Sequence, residues 1–89
     1  MRNRESVLLE MEQLLNLLLE SRQQTGDWAW DNAPYSRAIQ SFCFEATAVI
    51  PTVELRRHVV DVWMRKRQLD AHDRRSVLAL LNAKLPIVN

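Results

Sequence analysis

Glu54, His58 and Asp61 stand four and three residues apart, a spacing that on a helix brings three metal-binding side chains to one face. Neither a cysteine nor a second histidine stands close to them, and such a trio is the ordinary pattern of surface ion pairs. No metal ion is expected there. Cys43 and His58 are the residue types of a nucleophile and its base. No sequence feature draws them together, and Cys43 lies on an apolar stripe where a cysteine acts as a small buried hydrophobe. Ser–His–Asp chemistry lacks an anchoring motif, and the single glycine leaves no loop to cradle a phosphate or an oxyanion. The expectation is a protein that is not an enzyme and carries no cofactor.

A second chemistry is suggested by "RKRQLDAHDRR" at 65–75, where Arg65, Lys66 and Arg67 are followed by Arg74 and Arg75. Two helices joined by a tight turn invite comparison with a helix-turn-helix, with Ser76 and Val77 at its polar and aliphatic positions. In that alignment the small residue of the first helix falls on Arg67, the turn glycine on Ala71 and the next aliphatic position on His72. The pattern is weak. No aromatic residues are interleaved with these charges to stack on bases. Asp61 lies one turn from Arg65, Asp70 and Asp73 precede the arginine pair, and the stems of Lys66 and Arg67 can lie over apolar surface. A solvated face is the preferred reading, and nucleic-acid binding through Arg65, Lys66, Arg67, Arg74 and Arg75 is the alternative.

The elements that hold these residues read as helices of approximately 4–24, 34–50, 53–69 and 71–85. Asn3 suits the first N-cap and Gly26 the position just past the C-terminus. Val7, Leu8, Met11, Leu14, Leu15, Leu18 and Leu19 fill one apolar arc at helical spacing. Leu9 falls within the polar side and Leu17 at its edge; they are either isolated exposed leucines or a second contact surface. "TGDWAWDNAP" is a connection carrying Trp28 and Trp30, either partner anchors or a cover for the end of a bundle. Asn32 and Pro34 open the second helix, whose stripe is Tyr35, Ile39, Phe42, Cys43, Ala46 and Ile50, and Pro51 ends it. Thr52 is read as the cap of the third. Leu55, Val59, Val62, Trp63 and Leu69 give that helix one apolar face, and Val53, Val60 and Met64 a second. Asp70 caps the fourth, which carries Val77, Leu78, Leu81 and Leu85 and stops at Pro86.

The 89 residues are expected to form a single helical domain with one modest core, an all-α bundle of about four helices. One glycine and three prolines are too few for a sheet with many hairpins. The net charge of +1 hides a dipole. Residues 1–50 set four Arg against seven acids, a net of −3, and residues 51–89 set eight Lys or Arg against four acids, a net of +4. No apolar run approaches a membrane span, and polar residues interrupt each leucine run near the N-terminus, which argues against a signal peptide. One free cysteine suits a reducing compartment, so a cytoplasmic location is expected. Together these features point to a non-enzymatic bacterial regulator or adaptor that acts by protein–protein contact. Its partner would be a second copy, in a homodimer, or a larger protein. Leu9, Leu17, Trp28, Trp30, Val60 and Met64 are the candidate contact residues, because one core does not need them all.

Overall fold

The computed structural model describes residues 3–86. Helix α1, Arg4–Thr25, starts at a reciprocal cap between Asn3 and Ser6. The Ser6 N–H donates to Asn3 Oδ1 at 2.8 Å, and the Asn3 N–H donates to the Ser6 hydroxyl at 3.2 Å. It stops at Gly26, whose φ of 82° lies in the left-handed region, where a side chain would be strained. A 3₁₀ turn, Ala29–Asp31, leads into α2, Ala33–Thr47.

Helix α2 ends three residues earlier than its apolar pattern predicts. Pro51 offers no N–H and its ring collides with a helical carbonyl four residues back, so the chain tightens before reaching it. Ala48 and Val49 accordingly make three-residue backbone bonds to Glu45 and Ala46. Thr52 is not the cap of the next helix. Pro51 takes the cap position without any side-chain bond, and Thr52 is the first helical residue.

Helix α3 runs over 52–67 as Thr52–His58, a π-helical turn Val59–Trp63, and Met64–Arg67. Within the π turn the Met64 N–H reaches back five residues to the Val59 carbonyl. One extra residue is thereby inserted, and the apolar register shifts by about one residue, roughly 100° of helix. Regular spacing predicts Val62 inside and Met64 outside; the structure has Val62 38% exposed and Met64 3% exposed beside a fully buried Trp63. Burying a methionine is worth about 1.5–3 kcal/mol, which offsets the looser hydrogen bonding of the π turn. Gln68 ends α3 in the left-handed region at φ 52°. Helix α4, Ala71–Lys84, begins at Asp70, whose Oδ1 accepts the Asp73 N–H at 2.8 Å.

Four helices and no strands are found among the described residues, so the chain folds as an all-α bundle. Its radius of gyration of 12.4 Å is close to the ~12 Å of a compact chain this long. At 1.5 Å per residue α1 is about 33 Å long, so it spans the 34 Å of the longest dimension. Its buried Val7, Met11, Leu15, Leu18 and Leu19 meet Ile39, Cys43 and Ala46 of α2, Leu55, Val59, Trp63 and Met64 of α3, and Val77, Leu80 and Leu81 of α4 in one cluster. Tyr35, placed on the α2 stripe by spacing, is instead 57% exposed at the start of that helix.

The acids and bases along α3 do not pair chiefly with one another, as their spacing suggests. Glu54 meets Arg4 and His58 meets Glu12, both on α1. Lys66 also reaches Glu12, at 3.3 Å. Helices α1 and α3 therefore run in the same direction, with Arg4 beside Glu54, Glu12 beside His58 and Asn16 beside Trp63. Helix α4 runs back along α3, and its Asn82 accepts a hydrogen bond from Arg56.

Candidate functional site

The short link at 68–70 sets α4 against the outer side of α3 and leaves an apolar groove between them. Val60 and Met64 of α3 and Ala71 and Leu78 of α4 line it, with Arg74 and Arg75 at its rim, and its volume is about 520 Å³. Val60 is half-buried and Met64 forms part of the floor. No carboxylate lines the groove, and neither Arg74 nor Arg75 makes an ion pair among the described residues. Asp73, which by spacing ought to temper this charge, faces Arg22 of α1 at 3.6 Å.

The five basic residues therefore do not act as one patch. Lys66 is drawn toward α1 by Glu12, Arg74 and Arg75 flank the groove, and Arg65 and Arg67 project into solvent. Candidate protein-binding and nucleic-acid-binding residues, separate in the sequence, meet instead in one place: Val60 and Met64 between the arginines of α4.

Leu9 and Leu17 remain 57% and 65% exposed on α1. Leu17 borders a smaller groove of about 320 Å³ shared with Leu14, Ala38 and Phe42, with Glu10 and Gln13 alongside. Phe44, not singled out by its spacing, is the most exposed large apolar residue among the described residues, at 72%. Its position directly after Cys43 turns it about 100° away from the buried stripe, a signal that a helical projection of α2 contains.

Trp28 and Trp30 are not a pair of open anchors. They stack with ring centroids 4.2 Å apart and planes 17° apart, Trp28 is buried, and Trp30 packs half-buried against the core. The Arg22 guanidinium lies 5.9 Å from the Trp28 ring, within cation–π range. Both rings thus cover the end of the bundle; Trp28 and Met64 are buried in the core cluster, and Met64 reaches the groove only as part of its floor.

Glu54, His58 and Cys43 are engaged within the fold, Glu54 with Arg4, His58 with Glu12 and Cys43 by burial in the core. Glu12 accepts from His58 Nε2 at 3.0 Å, and this bond first, then Lys66, holds its carboxyl below the ordinary value of 4.5 despite some burial. The Trp63 indole N–H donates to Asn16 Oδ1 at 2.8 Å. Burial pushes the Cys43 thiol up to about 11, where it is protonated and unreactive at neutral pH. Among the described residues no three His, Cys, Asp or Glu side chains converge as metal ligands, and no helix is long and apolar enough to cross a membrane.

No family model, curated protein or solved structure matches the chain.

Proposed function

We propose that this protein acts without catalysis, as a small cytoplasmic helical adaptor or regulator that works by protein–protein contact and associates with itself. The observation that carries the reading is the open α3/α4 groove, apolar along its floor and rimmed by two arginines that make no ion pair among the described residues. Exposed Leu9, Leu17 and Phe44 add apolar area beyond what one core uses. Aromatic, methionine and arginine side chains are the types that protein interfaces favour. A nucleic-acid reading would use the same arginines, but the groove offers bases no aromatic platform and Lys66 is engaged with α1.

The test is molar mass by sedimentation equilibrium over a wide range of concentration, in parallel with titration of labelled duplex and single-stranded DNA and RNA at two salt concentrations. Reversible self-association with no measurable nucleic-acid binding is expected. A monomer at every concentration that binds nucleic acid with a steep salt dependence would replace this reading with the nucleic-acid one.

A further inference from the structure

We draw no further inference here: the strongest candidate, the apolar groove between α3 and α4 with Val60, Met64 and Leu78 along it and Arg74 and Arg75 at its rim, carries nothing beyond the reading above because nothing in the structure shows what covers it.

Discussion

Replacing Asn16 with Leu removes the acceptor of a fully buried indole N–H. Trp63 is 0% exposed, and its nitrogen has Asn16 Oδ1 as its acceptor at 2.8 Å, inside the helix pair formed by α1 and α3. Leucine is close in size and a better helix former, so the chief effect is an orphaned donor that water cannot reach. That penalty is about 1–3 kcal/mol. In a domain of this length each kcal/mol lowers Tm by about 4–8 °C, so a mid-range cost of about 2 kcal/mol lowers it by roughly 8–16 °C. Urea unfolding followed by far-UV circular dichroism, at a concentration where the chain is monomeric, measures the free energy directly. Trp63→Phe supplies the control: it has no N–H to strand, so adding Asn16→Leu to it costs little. The coupling between the two changes should be about 1–2 kcal/mol. An Asn16→Leu variant within about 0.5 kcal/mol of the natural chain, or an equal cost in both backgrounds, refutes the reasoning.

Three further outcomes are expected. The Glu12 carboxyl is held below 4.5 by His58 and then Lys66, so its contribution to stability is full above that value and is lost as pH falls through the depressed folded value. Glu12→Gln should therefore flatten the acid limb of stability, measured as urea midpoints from about pH 6 to about pH 3. Cys43, buried with a thiol pushed up to about 11, should react with a thiol reagent at neutral pH only at the rate of unfolding, and a rate matching that of a free thiol would place it at the surface. Deleting Val62, one of two exposed residues of the π turn, should yield a folded protein with regular α-helix there, since the turn accommodates one residue more than its flanks need. Deleting Ala79 in the regular α4 should unfold the domain by rotating Leu80 and Leu81 out of the core relative to Val77, with far-UV circular dichroism as the readout for both.

The helices and most of their ends were legible in the sequence because caps and stops act within four residues. Asn3 with Ser6, Gly26, Pro51 and Asp70 satisfy or remove backbone partners close by in the chain, whatever else the chain does. The leucine arc of α1 is likewise a local statement, and its inner members are the core. Val62 and Met64 changed places because a π turn has no local signature. It looks unfavourable residue by residue and persists because Trp63 and Met64 both find room inside once the helices pack. Spacing along one helix also cannot tell an acid's neighbour on its own helix from one on another. Glu12 and His58 lie 46 residues apart and Trp63 and Asn16 lie 47 apart, so only the pairing of α1 with α3 makes them partners. The candidate site follows the same division. Exposed Leu9 and Leu17 stood out of the periodic pattern of a single helix, whereas the meeting of Val60 and Met64 with Arg74 and Arg75 required two helices to fold back on each other. Short-range hydrogen bonding and apolar period determined the elements; the packing of buried side chains between them decided which charges pair across helices and which stay at the surface.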